Sequence, residues 1–335
     1  MKATLILNPA AGNPAESAAQ LVELLRQLRR QQIQAEVVIV EPELSLQAVA
    51  RSAARAGAKM VIVSGGDGTI ENVALGLVGS QTTLGIIPTG TRNNLARSLG
   101  IPTDPSQIAD AVALLRHGRR LRIDVGQARL GRASRGFLEA GVVGLASALY
   151  PSADDIQHGD LGRIAEFIST LVSAAPSEIR LRVDHRLKEI VTHAHLVIVA
   201  NMPFMGANFQ IAPDIVFEDR HLDVFVYSDL SKLDLIGQAM QSPATAPDAR
   251  IQRFHVKTIT IRTSPAMPVM ADGVLLGEGS VTISVQPHRL RVMAGPAGVA
   301  VTTPTSAGVG VTDAALGAQT AASPMIDREV RPHGE

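Results

Sequence analysis

Short apolar runs alternate with longer amphipathic stretches through the first 125 residues of the chain. Leu21, Leu24, Leu25 and Leu28 recur at helical spacing, which predicts a helix with one buried face. Capping and stop signals predict further helices, over residues 45–56, 70–78, 93–99 and 104–117. Apolar runs of strand length predict strands at residues 5–7, 37–40, 60–63 and 84–87. Because strands alternate with helices, this region is expected to be a doubly wound α/β domain whose parallel sheet is covered on both faces.

The pattern changes after about Arg122, where short β-type runs separated by turn residues become dominant. These runs predict strands at residues 122–125, 179–183, 196–200, 222–227, 259–261, 281–285 and 290–293. Two helices are expected among them, at residues 161–173 and 231–240. The pattern therefore predicts an α/β domain over residues 1–125 and a β-sandwich over residues 126–295. Residues 296–335 contain few large apolar side chains and are expected to form a disordered tail.

Composition narrows the class of protein. The 335 residues are 46% hydrophobic and 19% charged with a formal net charge of zero, which argues against a dedicated nucleic-acid binder. There is no cysteine, so disulfides and thiolate metal sites are excluded. No apolar stretch approaches the roughly 18 residues of a membrane span, and the N-terminal apolar run is too short for a signal peptide. We therefore expect a cytoplasmic protein without a transmembrane segment.

A glycine-rich turn follows the third predicted strand. It reads Gly65-Gly66-Asp67-Gly68-Thr69 and leads into a predicted helix. Glycines let an anion approach main-chain N–H groups, and a helix N-terminus favours negative charge, so the turn predicts a phosphate-binding site. It matches neither the common NTPase nor the dinucleotide fingerprint. Its aspartate suits a nucleotide with a bound metal ion; the alternative is a tight strand-to-helix turn without a ligand.

A second polar loop follows the fourth predicted strand and reads Gly90-Thr91-Arg92-Asn93-Asn94. Gly90 permits close approach, while Thr91 and Asn93 can bind phosphate, ribose or the adjacent backbone. Both loops are expected at the carboxyl ends of parallel strands, where ligands bind in such sheets.

With these two loops, the chain resembles the diacylglycerol kinase and sphingosine kinase-like lipid kinase family. The resemblance extends over residues 1 to about 295. Its motifs occur in order at residues 8–12, 65–69, 90–97, 100–102, 159–167, 201–213, 218–224 and 272–273.

The resemblance implies an ATP-dependent lipid kinase with an NAD kinase-like α/β domain, a lipid-binding β-sandwich and an active site in the cleft between them. It implies ATP contacts from the two loops, from the residues after them and from the Asn-Pro start. These are Asn8, Gly65, Gly66, Asp67, Gly68, Thr69, Glu71, Asn72, Gly90, Thr91 and Asn93.

The same resemblance implies a metal site and catalytic carboxylates. Asp219 is the expected Mg²⁺ ligand, with main-chain carbonyls of Val216 and His221 as partners; the alternative is that Asp219 caps a turn. Asp67 is expected to organise metal or substrate and Asp272 to accept the proton of the acceptor alcohol. Asp272-Gly273 also reads as an ordinary hairpin turn.

Several positions depart from the family pattern. Val274 stands where relatives have a glutamate, so that Asp272 acts alone or Glu278 replaces the missing carboxylate. The usual Asn-Glu order is inverted in Glu71-Asn72, which moves the carboxylate to another helix face. Asn94 replaces an aspartate, and Arg220 replaces a glycine.

The expected function is Mg²⁺-dependent phosphorylation of a lipid hydroxyl, with diacylglycerol first and a sphingoid base or another glycerolipid next. The expected partner is a lipid at a membrane surface, with peripheral membrane association and a possible homodimer. Two alternatives remain open. One is an NAD kinase-like enzyme with a soluble substrate, and the other is a degenerate nucleotide- or lipid-binding module without turnover.

Overall fold

A computed structural model describes residues 1–11, 17–144, 176–184, 188–206, 209–228 and 251–296. Some of the expectations fall outside these residues. They are the motif at 159–167, the helices at 161–173 and 231–240, and the tail from residue 297.

The first part of the chain folds into four parallel strands and the helices between them. The strands are β1 (Lys2–Leu7), β2 (Gln34–Ile39), β3 (Met60–Gly65) and β4 (Thr83–Pro88). The helices are α1 (Ser17–Arg30), α2 (Leu46–Arg55), α3 (Asp67–Leu77), α4 (Asn94–Ser98) and α5 (Ile108–His117). The strand order is β2-β1-β3-β4.

Alternate residues of the central strands pack on opposite faces of the sheet, as the period of two requires. Met60 and Ile62 of β3 pack in one cluster with residues of α1 and α5, including Leu28. Val61 and Val63 pack in a second cluster with residues of α2 and α3. This two-sided cover confirms the predicted doubly wound domain.

The rest of the chain is almost entirely β. Its strands are β5 (Arg119–Leu130), β6 (Ala133–Phe137), β7 (Ala140–Gly144), β8 (Ser177–Val183), β9 (Ile190–Ala194), β10 (Leu196–Ala200), β11 (Phe204–Met205), β12 (Phe209–Gln210), β13 (Leu222–Tyr227), β14 (Ile251–Val256), β15 (Thr258–Ser264), β16 (Pro268–Ala271), β17 (Val274–Glu278) and β18 (Val281–Ala294). A six-stranded antiparallel sheet has the order β14-β13-β10-β7-β16-β17. Its apolar face packs on β18, β15 and β8 around a shared core, which confirms the predicted β-sandwich.

Strand β18 joins the two halves into one ten-stranded sheet. Its first residues pair with β15, its last residues pair in parallel with β4, and β5 runs antiparallel beside it. The register with β5 shifts between Gln286 and Leu290, so the sequence pattern there predicted two strands where one irregular strand is present. Strand β5 runs through residue 125 without a break, and the boundary proposed there stays a prediction.

Helix α3 begins at Asp67, three residues before the predicted start, because Asp67, Gly68 and Thr69 already form its first turn. None of the described helices is both long enough and apolar enough to cross a membrane.

Candidate active site

The two glycine loops lie side by side at the carboxyl edge of the parallel sheet. Gly65 pairs with Pro88, and the backbones of Gly66 and Gly90 are in direct contact. A Cβ on Gly90 would lie 2.5 Å from the Cα of Gly66, so only glycine permits this contact. A Cβ on Gly68 would meet nothing within 4 Å. The first turn of α3 therefore faces open space, where an anion can approach the positive end of the helix.

Asp67 connects α3 to α4. Its Oδ1 accepts a hydrogen bond from the N–H of Asn94 at 2.7 Å, and its Oδ2 accepts one from the N–H of Asn93 at 2.9 Å. Asn93 adopts a left-handed conformation with φ of 54°. Its side-chain oxygen accepts the N–H of Gly90, and its side-chain nitrogen donates to the Gly90 carbonyl. These contacts hold the second loop against the first, and the ATP contacts expected of Asp67, Asn93 and Gly90 stay predictions.

The remaining nucleotide-binding candidates lie around the same helix turn. The Asn8 side chain donates to Thr69 Oγ1 at 2.9 Å, which ties the N-terminal loop to α3. Asn72 donates to the Gly68 carbonyl and accepts from Gln47 of α2, so its side chain links α3 to α2. Thr91 is exposed on its loop.

A pocket of about 160 Å³ lies between these loops and the β-sandwich half. We call it the acidic pocket, because carboxylates from both halves face it. It is lined by Asp67, Gly68, Glu71, Arg92, Asn94, Leu95, Leu138, Glu139, Gly206 and Asp272. With the inverted Glu71-Asn72 order, the glutamate of α3 therefore lines the pocket and the asparagine contacts α2.

Asp272 lies at the tip of the β16–β17 hairpin with φ of 43°. Its Oδ2 accepts the N–H of Leu138 at 2.6 Å, and its Oδ1 accepts the N–H groups of Glu139 at 2.9 Å and Ala140 at 3.0 Å. Burial raises the pKa of Asp272 to about 6, although these three hydrogen bonds act in the opposite direction.

Glu71 forms an ion pair with Arg135 of β6, with Oε1 and Nη2 2.6 Å apart. Burial, followed by the nearby charge of Asp272, raises the pKa of Glu71 to about 8, and the Arg135 guanidinium only partly opposes this shift. The side chain of Arg135 is mostly buried.

Glu139 is the pocket carboxylate that sequence reasoning missed. Its Oε2 accepts the N–H of Gly206 at 3.1 Å. Burial, then the charges of Asp272 and Asp67, hold the pKa of Glu139 well above its usual range. The signal in the sequence was a single acid inside the otherwise apolar segment Phe137-Leu138-Glu139-Ala140.

The pocket is chemically suited to a magnesium-bound phosphate. Burial raises the pKa of Glu71, Glu139 and Asp272, and the charge of Asp272 raises those of Glu71 and Glu139 further. The side-chain oxygen of the buried Asn94 has no hydrogen-bond partner among the described residues. Oxygen ligands of this kind are those that Mg²⁺ prefers.

The predicted metal residue Asp219 lies apart from the residues that line this pocket. Its Oδ1 accepts the N–H of His221, and its Oδ2 lies 2.8 Å from Nε2 of His255. Ligand atoms of these three side chains all lie within 4.8 Å of one another, and sequence reasoning missed His255. Two imidazoles suit a transition metal better than Mg²⁺, so Mg²⁺ binding by Asp219 with the carbonyls of Val216 and His221 stays a prediction.

The position that lost the family glutamate does not face the pocket. Val274 is 44% exposed at the start of β17 and is not among the described residues that line the pocket. Glu278, the alternative carboxylate, is exposed at the other end of the same strand.

A glycine turn on a parallel sheet thus faces an acidic pocket that a β-sandwich helps to enclose. The profile described as "Diacylglycerol kinase catalytic domain" matches residues 2–128, and the one described as "YegS C-terminal NAD kinase beta sandwich-like domain" matches residues 139–294. The chain belongs to this diacylglycerol kinase and YegS-like family.

The names of similar proteins agree with these profile matches. The chain is 28% identical over 300 residues to a diacylglycerol kinase of Mycobacterium tuberculosis, covering 87% of this chain and 94% of that protein. It is 29% identical over 231 residues to a diacylglycerol kinase of Bacillus subtilis, covering 67% and 74%. A crystal structure of a diacylglycerol kinase from Bacillus anthracis has the same fold, with a TM-score of 0.69 at 23% identity over 89% of this chain and 98% of that one.

Proposed function

We propose that the chain transfers the γ-phosphoryl group of ATP to the hydroxyl of a lipid, with Mg²⁺ as the required metal and diacylglycerol as the favoured acceptor. The observation that carries this proposal is the acidic pocket. Its walls come from both halves of the chain, and it adjoins the open first turn of α3.

The proposed nucleotide site is the surface formed by the two glycine loops. Phosphoryl transfer depends mainly on positioning and on neutralising the phosphate oxygens. The contact between Gly66 and Gly90, the hydrogen bonds of Asp67 and the link from Asn8 to Thr69 make this surface rigid. The open space at Gly68 leaves room for the phosphates.

Magnesium would add positive charge beside the carboxylates of the pocket. With the nucleotide bound, Mg²⁺ would neutralise phosphate oxygens next to the carboxylates of the pocket. Asp67 and Asp272 then keep the surrounding backbone in place, through the N–H groups that each of them binds.

A lipid acceptor is supported by the family and by the β-sandwich half. A lipid substrate in a bilayer requires peripheral membrane association. Arg119, Arg120 and Arg122 are exposed along β5, and such residues attract anionic headgroups by about 1 kcal/mol each near a surface. We propose a cytoplasmic enzyme that docks transiently on membranes.

The test is incubation of the full chain with γ-labelled ATP, Mg²⁺ and mixed micelles that contain diacylglycerol, monoacylglycerol or a sphingoid base, with NAD in a parallel aqueous assay. We expect label in diacylglycerol, abolished by EDTA. Label in NAD alone would favour a soluble-substrate kinase. Stabilisation by ATP without any labelled product would favour a binding module and contradict the proposal.

A further inference from the structure

The transfer of a phosphoryl group to an alcohol requires an acceptor for the hydroxyl proton, and the acidic pocket offers several carboxylates for this role. Two of them already serve as anchors for the backbone. Asp67 uses both oxygens to bind the N–H groups of Asn93 and Asn94. Asp272 uses both oxygens to bind three N–H groups. Backbone donors hold both oxygens of each carboxylate in place, so neither can turn toward an acceptor alcohol without breaking those bonds.

Glu71 is also committed. Its Oε1 lies 2.6 Å from the Arg135 guanidinium, and both side chains are mostly buried. Movement of Glu71 toward an acceptor alcohol would break this ion pair and leave Arg135 without its anionic partner.

Glu139 differs from the other three carboxylates. It has no cationic partner within salt-bridge distance among the described residues, and its hydrogen bonds come from one backbone N–H, that of Gly206 to Oε2, and from the Asn94 side chain. It projects from the connection between β6 and β7 into the pocket, opposite Asp67 and Glu71 of α3. The backbone of this connection is held by Asp272, whose oxygens bind the N–H groups on both sides of the Glu139 Cα.

We propose that Glu139 is the catalytic residue that accepts the proton of the acceptor alcohol; this assignment rests on the proposed lipid kinase activity. The alcohol oxygen forms a bond to the γ-phosphorus, the bond from that phosphorus to the bridging oxygen of ADP breaks, and the hydroxyl proton passes to the Glu139 carboxylate. Water removes the proton after product release. Asp272 is then a positioning residue, which fixes the backbone that carries Glu139.

This assignment also accounts for the loss of the family glutamate at position 274. Val274 and Glu278 are exposed on β17, so neither is placed to serve the pocket. Burial, then the charges of Asp272 and Asp67, raise the pKa of Glu139, which makes its carboxylate a stronger base than that of an exposed glutamate. The groups that face it are Asp67, Glu71, Asp272, Arg92 and Asn94.

The experiment compares Glu139→Gln, Glu139→Asp and Glu36→Gln in the full chain. Glutamine keeps the size of the side chain and can still accept the Gly206 N–H bond, but it cannot take up a proton. Aspartate keeps the carboxylate. Glu36 is exposed on β2 and provides a matched surface control. Each variant is assayed for labelling of the lipid acceptor as a function of pH, and for binding of Mg²⁺ with a non-hydrolysable ATP analogue by calorimetry.

For Glu139→Gln we expect kcat to fall by about 10²- to 10⁴-fold, the usual contribution of a general base, with the affinity for the analogue unchanged. Glu139→Asp should keep more activity than Glu139→Gln, and Glu36→Gln should match the wild type. In the wild type, kcat should rise with pH as the base loses its proton, and Glu139→Gln should lack this rise.

Wild-type kcat in Glu139→Gln, or an unchanged pH profile in that variant, would overturn the assignment while leaving the proposed function intact. A wild-type chain that binds the ATP analogue but labels no acceptor would overturn the proposed function and, with it, the role of Glu139.

Discussion

At the scale of single residues, the acidic pocket is a site where burial and like charges act together. Glu71, Glu139 and Asp272 all have raised pKa values, with burial as the largest cause in each. A carboxyl group whose pKa is higher in the folded state binds more protons when folded than when unfolded. Its contribution to stability is therefore present at low pH and is lost as pH rises through the folded-state pKa.

This direction of the change in stability with pH gives the first prediction. Glu71 has a pKa of about 8 in the folded chain, so the ligand-free protein should lose stability between about pH 5 and pH 8. Glu71→Gln removes the titrating group and should flatten this dependence of stability on pH. The stability of the variant relative to the wild type should therefore increase as pH rises. Denaturant unfolding at several pH values measures the effect. A wild-type free energy of unfolding that increases over this interval would contradict it.

At the scale of elements, the two glycine loops contain glycines with different structural roles. Gly68 lies in the first turn of α3 with open space where a Cβ would be, whereas Gly90 is in contact with Gly66. Gly68→Ala should therefore fold well, and the higher helix propensity of alanine should add up to about 1 kcal/mol of stability. It should nevertheless weaken ATP binding, because the methyl group occupies space proposed for phosphate.

Gly90→Ala is the matched comparison. Its methyl group would lie 2.5 Å from the Gly66 Cα, and backbone cannot yield as a flexible side chain can. We expect a loss of about 1 to 3 kcal/mol, as for overpacked core positions. Thermal unfolding and calorimetric titration with Mg·ATP distinguish the two variants. Equal effects of both substitutions on stability would show that the loop contact is not as tight as described.

The carboxylate of Asp67 is what holds α4 to α3, and its replacement gives a third prediction. Asp67→Asn keeps one acceptor oxygen but turns an amide donor toward a backbone N–H, so it should cost about 1 to 3 kcal/mol. Asp104→Asn is the control, because Asp104 makes the same kind of cap at an exposed turn and should cost less. Thermal unfolding compares them, and a larger loss in Asp104→Asn would contradict the role given to Asp67.

Local pattern was enough to predict the strands and helices of the α/β half, but it missed several strands of the β-sandwich half, including β6, β7 and β16. The period of two in residues 60–63 and the glycine turn after them are local signals, and the structure places that turn where the pattern indicated. Glu139 was missed because it reaches the pocket through the fold of β6 and β7, which no short-range signal reports. Val274 was singled out because it stands where relatives have a glutamate, yet its side chain is exposed on the hairpin.

At the scale of the whole molecule, the halves share one sheet, and this could not be predicted from the sequence. The last residues of β18 pair with β4, although about 200 residues separate them along the chain. Beside the register shift between β5 and β18 lies Asp124 of β5, which is fully buried. Its oxygens accept the N–H groups of Arg220 and His288, each at 2.6 Å. The α/β half is therefore incomplete without the end of the chain.

This dependence leads to the last prediction. A fragment of residues 1–125 lacks Leu290 and Val292, which are fully buried in the cluster formed by α2, α3 and the sheet. It also leaves the edge of β4 unpaired, and such an edge promotes aggregation. We expect this fragment to be unfolded or aggregated, and a fragment that carries residues 288–296 on a flexible linker after residue 125 to recover cooperative unfolding. Matched linkers that carry Leu290→Asp or Val292→Asp should fail, since each places a charge in that cluster. Circular dichroism, size-exclusion chromatography and thermal unfolding compare the fragments. If residues 1–125 alone unfold cooperatively with native stability, the α/β half is independent, and the shared sheet only tethers the two halves.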